Sequence, residues 1–379
     1  MRATFIHSPE LEQFSYPPGC PFRTERAGLT RKTLLSMDLL SGDHRREAAP
    51  APVDRETLLS FHSAPYLDAL KASGEGHLNP AMFAMGLGTP DCPVFPGMYE
   101  YAALACGASL LGAKLLLAGQ TDIAFNPSGG YHHAHAERAG GFCYLNDVVL
   151  ACQHLAAAGR RVLFLDIDVH HCDGVQAAFY SRSDIMTFSF HEDPALLFPG
   201  TGAIDEIGAG AGTGYTVNVP LPAGLYDAAF LKAFRALAIP LVGAYRPDVL
   251  VLELGMDMLS GDPLAHLKLT NNAHAEVVQY LTGLGLPLLV TGGGGYHVDN
   301  TVRGWALAWS ILCGAAAEME DMSAGLGGVF LETAEWHGGL RDRVLVPDAR
   351  QRREVDPVVD ATIAKVRATC FPLHGLRPD

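Results

Sequence analysis

The stretch RVLFLDIDVHHCDGV, residues 161–175, places an apolar run of strand length directly before a group of acidic residues and histidines. Asp166, Asp168 and His170 alternate there, so in an extended chain their side chains would share one face as the strand leaves its sheet. Carboxylate oxygen and imidazole nitrogen suit Zn²⁺, with Fe²⁺ or Mn²⁺ as less favoured ions. By itself the stretch leaves two interpretations open: a metal site, or a solvated polar loop at a strand end.

Similar apolar runs recur along the chain and alternate with longer helix-like segments, a pattern typical of a parallel sheet with helical crossovers. We predict strands at 121–126, 161–168, 184–190, 247–254 and 287–292, and helices at 98–119, 229–245 with a kink at Pro240, and 271–284. No fixed repeat and no low-complexity linker divides the chain. We therefore expect one α/β domain over residues 1–379, with three layers (αβα) and a mostly parallel central sheet. The first twenty residues and residues 320–379 are expected to form peripheral elements.

The composition supports a globular protein, because 49% of the residues are apolar and 18% are charged. The net charge is −14 and lysines and arginines do not cluster, so direct nucleic-acid binding is not expected. The acidic balance is weak support for a cationic substrate. The N-terminus lacks a signal-type apolar region and no run approaches a membrane span, so we expect a cytoplasmic protein without a membrane partner. Eight scattered cysteines without a CxxC pair are expected to be reduced.

Polar residues follow four of the predicted strands. They are His132 and His133 after 121–126; Asp168, His170, His171 and Asp173 after RVLFLDI (161–167); Asp257 after 247–254; and Tyr296 after 287–292. Ligands of open parallel sheets bind beyond the carboxyl ends of the strands. The sequence therefore predicts that these side chains meet at one edge of the sheet.

Asp257, in LELGMDMLSGDP, is the best candidate for a third metal ligand, because a lone carboxylate after an apolar strand otherwise lacks a partner. A helix N-cap is the alternative. Asp262 is more easily interpreted as a turn residue. The four glycines 292–295 lack the GxGxxG order of a phosphate-binding loop. The histidines of GGYHHAHAERAGGFCYLND, residues 129–147, could on their own form a metal site, a catalytic pair or a surface loop.

Six blocks carry a family resemblance. In chain order they are GGYHHAHAERAGGFCYLND, DIDVHHCDGVQAAFY, FHEDPALLFPGTG, GYTVNVPL, LGMDMLSGDPL and GGGGY. Their order and intervals resemble the zinc-dependent histone deacetylase family, which includes acetoin-utilisation proteins and acetylpolyamine amidohydrolases and has an arginase-related fold. The similarity runs from about Arg26 to Trp305. It implies a metal-dependent hydrolase that removes an acetyl or related acyl group from a lysine side chain or a similar amine.

The resemblance implies roles for the residues at the strand ends. The metal ligands would be Asp168, His170 and Asp257. The paired histidines would each be held by a carboxylate, His132 by Asp166 and His133 by Asp173. His133 would act as general base and then as general acid, while His132 would tune the charge. Tyr296 would stabilise the substrate carbonyl and its oxyanion, and His135 would be an ordinary loop residue.

A substrate tunnel is implied in the same way. Gly141, Phe142 and Phe198 would form its walls and Leu264 its rim, although each phenylalanine alone would more often be core. Asp91 would accept hydrogen bonds from a peptide substrate, and Arg26 would line a channel for acetate release. A solvated aspartate and a surface arginine are the alternatives for these last two.

Two monovalent-cation sites of K⁺ type are also implied. The first would use Asp166, Asp168, His170, Ser189 and Phe190, and the second Phe179, Arg182, Ile185 and Tyr215. Backbone carbonyls supply most of these ligands, so residue types alone could not have indicated either site.

The chain also departs from the family pattern. Cys172 replaces a glycine beside the ligand loop, Met256 replaces a small residue, and Asp299 stands where corepressor-bound nuclear members carry an arginine. An acetylpolyamine amidohydrolase is the main alternative function, and an inactive binding module with the same fold is a lesser one. An arginase-like ureohydrolase would need more aspartates at the strand ends. The oligomeric state and the physiological substrate stay open.

Overall fold

The computed structural model describes residues 1–316 and 339–379, and in this part of the chain eight short strands form one sheet. The strands are β1 Ala3–Ile6, β2 Arg45–Ala48, β3 Ile123–Asn126, β4 Val162–Asp166, β5 Ile185–Glu192, β6 Thr216–Leu221, β7 Val249–Glu253 and β8 Leu288–Thr291. Their order is β2-β1-β3-β8-β7-β4-β5-β6, and each neighbouring pair is parallel. The predicted parallel α/β sheet is confirmed.

Helices cover both faces of this sheet. They are α1 Arg26–Ser36, α2 Arg55–Leu58, α3 Ala64–Gly74, α4 Pro80–Ala84, α5 Met98–Leu117, α6 Asp147–Ala157, α7 Asp173–Phe179, α8 Asp227–Tyr245, α9 Asn271–Gly283, α10 Val298–Leu312 and α11 Ala349–Cys370. Helices α5, α6 and α7 pack on one face, and α1 and α8 to α11 lie on the other. The arrangement is the predicted three-layer one.

Each strand contributes to two cores, because successive side chains of a strand point to opposite faces. In β4, Val162 and Phe164 face α5 to α7, whereas Leu163 and Leu165 join the larger core under α8 to α10. A strand buried on both faces needs an almost continuous apolar sequence, which is what made these strands visible. The five predicted strands and three predicted helices end within two residues of the observed bounds, and α8 continues through Pro240.

The N-terminal strand corrects one expectation. β1 is not peripheral, since it lies between β2 and β3 and Phe5 is fully buried. Near the C-terminus, α11 packs on α8 and β6 and buries Val355 and Val366. The rest of the segment expected to be peripheral, residues 320–338, lies outside the described residues.

Helices α5 and α8 are long and apolar enough to cross a membrane, contrary to the expectation from the sequence. The reason is that each has few charged side chains over about five turns. In the apolar windows of these helices, 72% and 56% of the residues are buried inside the fold. Both therefore pack as core helices of a globular domain.

Candidate active site

A buried row of polar side chains crosses six neighbouring strands at or near their carboxyl ends. In sheet order its members are Asn126, Thr291, Glu253, Asp166, Ser189 and Asn218, each in register with the next. Because residues in register on parallel strands point to the same face, the row lies on the face covered by α5 to α7. The polar segments that follow the strands meet beside this row, as the sequence predicted.

Three side chains converge beside the row in a geometry suited to a metal ion. The Nδ1 atom of His170 lies 3.0 Å from Oδ2 of Asp257 and 3.1 Å from Oδ1 of Asp168. All three residues are buried. Donors held 2.0–2.2 Å from a tetrahedral Zn²⁺ lie about 3.3 Å apart, so the observed spacing fits such an ion closely. Asp257 caps no helix, because its other oxygen accepts from Val169 N at 2.9 Å.

The glycines before Tyr296 let the backbone approach these carboxylates. Gly294 N donates to Oδ2 of Asp168 at 2.6 Å. A Cβ on Gly294 would lie 1.9 Å from Oδ2 of Asp257, and one on Gly255 would lie 2.3 Å from Oδ2 of Asp168. A side chain at either position would displace a carboxylate of the cluster.

The charges of the cluster favour a cation. Burial and the charge of Asp168 raise the pKa of Asp257 to about 7. Burial opposes protonation of His170, but its hydrogen bonds to Asp168 and Asp257 outweigh burial and raise its pKa to about 10. A metal ion and the imidazole proton would therefore compete for the same carboxylates.

The tandem histidines stand next to this cluster, and a carboxylate orients each ring. Nδ1 of His132 lies 2.8 Å from Oδ2 of Asp166, and Nδ1 of His133 lies 2.7 Å from Oδ1 of Asp173. Burial and the charge of His132 lower the pKa of His133 to about 4. At neutral pH His133 is therefore uncharged. With Nδ1–H donated to Asp173, its Nε2 carries the basic lone pair, and this atom lies 3.0 Å from Nε2 of His132.

Glu253 is a site residue that the sequence reasoning missed. Its Oε1 lies 3.2 Å from Nδ1 of His132, and neither carboxyl oxygen has a hydrogen-bond partner among the described residues. Burial raises the pKa of Glu253 well above its usual value, whereas the charges of Glu253 and Asp166 overcome burial and raise the pKa of His132. Glu253 is the last residue of an apolar strand, so the strand-end argument applied to Asp257 could have identified it.

His135 is in a loop, as expected, but it also contacts the pair. Its Nε2 lies 2.9 Å from Oδ2 of Asp173, the oxygen that His133 does not use. The hydrogen bonds from His133 and His135 outweigh burial and hold the pKa of Asp173 well below its usual range. The orienting carboxylate is therefore shared by two histidines.

Tyr296 lies across the cluster from the histidine pair. Its ring centroid is 6.2 Å from that of His170 and 5.7 Å from that of Phe142. Burial and the charge of Asp257 raise the pKa of Tyr296 well above its usual value, so the hydroxyl remains a donor. Asp262 does make the expected turn contact, to Leu264 N, but its Oδ2 also accepts from Tyr296 N at 2.7 Å. It therefore holds the backbone of the Tyr296 loop.

A cavity of 310 Å³ opens above the site, and His133, Asp173, Phe198, Asp91 and Gly140 are among its lining residues. The Phe198 ring is 4.9 Å from that of His133, and 46% of the residue is exposed. A Cβ on Gly141 would lie 2.3 Å from the His133 ring, so this wall needs a glycine. The adjacent Phe142 also has a positive φ, of 66°. Leu264 is half-buried next to Asp262.

Two weaker predictions take a definite place in the fold. The carboxylate of Asp91 accepts from Thr89 Oγ1 at 2.7 Å and from Gly141 N at 3.1 Å, so it fixes the backbone at Gly141. Arg26 is buried, which excludes a surface arginine, and it donates to Gly295 O at 2.8 Å. The cavity beside Arg26 measures 10 Å³, about the size of one water, and the acetate channel stays a prediction.

The residues expected to bind monovalent cations lie in two places. Asp166, Asp168, His170, Ser189 and Phe190 surround the ends of β4 and β5. Phe179, Arg182, Ile185 and Tyr215 lie at the other edge of the sheet, where α7 ends and β5 and β6 begin. Burial raises the pKa of the Cys172 thiol well above its usual value, so this cysteine stays protonated within the apolar core. All eight cysteines are buried and none forms a disulfide.

Comparisons with known proteins agree with this geometry. The family profile described as histone deacetylase domain matches residues 20–312. Histone deacetylase B of Dictyostelium discoideum is 42% identical over 314 residues, which cover 82% of this chain and 73% of that protein. Histone deacetylase RPD3 of Saccharomyces cerevisiae is 38% identical over 316 residues, which cover 82% of this chain and 72% of that protein.

Solved structures give the same result over almost the full length. A histone deacetylase homologue crystallised with SAHA has a TM-score of 0.83 and 30% identity, and the match covers 97% of this chain and all of the homologue. A homologue from Aquifex aeolicus has the same TM-score and coverage at 29% identity.

Proposed function

The chain belongs to the histone deacetylase family of metal-dependent hydrolases, and from this premise we propose that it deacylates the side chain of acylated lysine in peptides or proteins, with Zn²⁺ as its metal. One observation carries the proposal. The carboxylate–imidazole cluster has on its two sides an uncharged histidine that lines a cavity and a tyrosine, because the His170 ring lies 5.9 Å from that of His133 and 6.2 Å from that of Tyr296.

The donor set supports a zinc site, because Asp168, His170 and Asp257 offer two oxygens and one nitrogen at the spacing of tetrahedral ligands. When bound, the metal would polarise the amide carbonyl and make a water molecule more acidic. The three protein ligands leave a position open for this chemistry.

Proton transfer belongs to His133. Its uncharged Nε2, which lies 3.0 Å from Nε2 of His132, would exchange that contact for the attacking water and accept its proton, and Asp173 would stabilise the imidazolium that forms. The same nitrogen then donates the proton to the departing amine. The hydroxyl of Tyr296 donates to the carbonyl oxygen as negative charge develops on it. The products are a carboxylate and a free amine.

An acylated lysine is favoured over an acylated polyamine by the charges at the cavity mouth. The mouth presents the guanidinium of Arg138, whereas the carboxylates of Asp91 and Asp173 are already hydrogen-bonded within the protein. A polycation would therefore meet a positive charge there. An inactive binding module is disfavoured, because the chain keeps all the residues proposed for the reaction.

We also propose that a K⁺ ion binds beside the metal, through Asp166, Ser189 and nearby carbonyl oxygens. In the described part of the chain, no N–H donates to the carbonyls of Asp168 or His170, so both are available to a cation.

The test is to assay the purified protein with acetyl-lysine peptides, longer acyl-lysine peptides and acetylpolyamines, before and after chelation and with Zn²⁺ restored. We expect zinc-dependent release of free lysine side chains, with acetylpolyamines turned over at least tenfold more slowly. If an acetylpolyamine were the preferred compound, it would take the place of acyl-lysine as the proposed substrate. If no compound released an amine in a metal-dependent way, the proposal of a hydrolase would be refuted.

A further inference from the structure

We propose that Arg138 makes the enzyme select acylated lysines that have a carboxylate beside them in the substrate. The inference rests on the proposed function and concerns the surface next to the tunnel, which the deacylation chemistry does not use. The selected group would be an acidic side chain adjacent to the acyl-lysine or the free carboxylate of a C-terminal acyl-lysine.

Arg138 stands where two cavities meet. The 310 Å³ cavity over His133 and a neighbouring 620 Å³ cavity share Ala84 and Arg138 in their linings. The larger one is an open trough with apolar walls that include Phe61, Pro65 and Met85. A peptide whose acyl-lysine enters the tunnel would have to cross one side of this mouth.

The backbone around Arg138 is fixed on both sides. His135 N donates to Arg138 O at 2.9 Å, which closes a tight turn, and Ala139 N donates to Met85 O at 2.9 Å. Ser63 N donates to Ala136 O, also at 2.9 Å. The guanidinium is therefore presented from a well-anchored loop, which lowers the entropy lost when it binds a ligand.

Most of the guanidinium is not engaged by the protein. Its Nη2 lies 3.0 Å from His135 Nε2 and 3.7 Å from Oδ2 of Asp173. Because the His135 Nε2 proton is best donated to the anionic Asp173, the contact with Arg138 is not a strong hydrogen bond. The side chain is 57% exposed, and no described residue accepts from its Nε or Nη1. These donors form a planar fork that matches a carboxylate.

Charges of both signs line the two cavities, because Asp91, Glu137 and Asp173 are acidic, and of these Asp91 and Asp173 already accept hydrogen bonds within the protein. Among the residues that line the two cavities, Arg138 alone carries a permanent positive charge. The net charge of −14 repels acidic substrates at a distance, but at physiological salt this repulsion is screened beyond roughly 8 Å. Direct contact with Arg138 would therefore decide the preference.

The experiment compares acetyl-lysine peptides that differ only in the flanking residue, Glu or Gln, placed on either side. In a second pair, both peptides end in acetyl-lysine, and the terminal carboxyl group is free in one and amidated in the other. This pair distinguishes a C-terminal carboxylate from an acidic neighbouring side chain. The quantity measured is the ratio of kcat/KM within each pair, for wild type and Arg138→Gln. Because the ratio is taken within one variant, any general effect on folding or chemistry cancels. Arg160→Gln is the matched control, since it removes an exposed arginine next to the start of β4, at the other end of the strands.

We expect the kcat/KM of wild type to be about threefold to tenfold higher for the peptide with the carboxylate in at least one pair, and we expect this ratio to fall as the salt concentration rises. Arg138→Gln should bring that ratio close to one, and Arg160→Gln should preserve it. A wild-type ratio near one in both pairs, or an unchanged ratio in Arg138→Gln, overturns the inference. No turnover of any peptide would instead overturn the proposed function.

Discussion

Substitution of Tyr296 tests whether a single hydroxyl group stabilises the oxyanion of the reaction. Tyr296→Phe removes the hydroxyl that donates to the developing oxyanion and leaves the ring contact with Phe142. Loss of one such donor typically lowers kcat by about 10²–10³-fold. We expect a decrease of this size with zinc content unchanged, measured by steady-state kinetics and metal analysis.

Tyr226→Phe is the control for that change, because its hydroxyl bonds to Asp356 away from the site. It should keep wild-type kcat. If Tyr296→Phe also retained near-normal kcat, the hydroxyl would have no part in stabilising the oxyanion.

Substitution of Gly294 tests whether the neighbouring carboxylates bind the metal. In Gly294→Ala the new Cβ would lie 1.9 Å from Oδ2 of Asp257 and 2.9 Å from Oδ2 of Asp168. One of these carboxylates must move, so we expect zinc affinity to fall by at least tenfold, as measured by competition with a chelator. Gly243→Ala, in α8, meets no atom within 4 Å and should leave zinc affinity unchanged. Normal affinity in Gly294→Ala would mean that these carboxylates do not bind the metal.

The elements of the fold differ in how far the sequence predicts them. β3, β4, β5, β7 and β8 lie in the interior of the sheet, and their apolar runs identified them. β2, with the sequence RREA, is an edge strand with half-exposed polar residues. β1 is buried but only four residues long, and its pairing depends on partners far along the chain.

The site shows a similar division. The strand ends and the family blocks indicated the residues that lie together around the cluster. Glu253 was hidden because a carboxylate at the end of an apolar run looks like part of the strand. The bonds from Asp173 to His135 and from Asp262 to Tyr296 join separate loops, so spacing along the chain could not show them.

The loop that carries Tyr296 gives a prediction at the scale of elements. Asp262 joins it to the loop after β7, through Oδ2 to Tyr296 N and Oδ1 to Leu264 N. In Asp262→Asn the amide oxygen can still accept from one of the two backbone N–H groups. The amide NH₂ then faces the other N–H and cannot accept from it. We expect kcat to fall by about tenfold through misplacement of Tyr296, with zinc content preserved.

Asp193→Asn is the matched control, because Asp193 accepts from Ala195 N in an exposed turn. It should keep wild-type kcat. A normal kcat for Asp262→Asn would show that the tyrosine loop holds its place without this bond.

For the whole molecule, the buried carboxylates make the metal a structural element as well as a catalytic one. Asp166, Asp168, Glu253 and Asp257 lie within one buried region. With few basic groups to balance them, ionising all four in a low-dielectric interior is costly. A divalent cation among them would remove much of that cost, so metal binding and folding should be coupled.

The pH dependence of this coupling has a definite sign. The pKa of Asp257 rises from 3.8 to about 7 in the fold, so the native state holds a proton that the unfolded chain has lost, and stability falls as pH rises through this range. The pKa of His170 rises from 6.5 to about 10, so its contribution is complete below pH 6.5 and is lost as pH rises toward 10. Asp168 and Asp173, whose pKa values are lowered, act in the opposite direction only below about pH 4. His62, His133 and His274, whose pKa values burial lowers from 6.5 to about 4, act in the opposite direction below pH 6.5.

We therefore expect the Tm of the chelated protein to fall by at least a few degrees between pH 6.5 and pH 9, while the zinc-loaded protein changes much less. The metal replaces the protons that Asp257 and His170 hold, so the stabilisation by zinc should grow with pH. Calorimetry or dye-based melting of both forms across this range measures the difference. Asp257→Asn cannot ionise at that position, and its chelated form should show a shallower decline than wild type. Parallel Tm curves for the chelated and zinc-loaded wild type would show that metal binding at this cluster is not linked to its protonation.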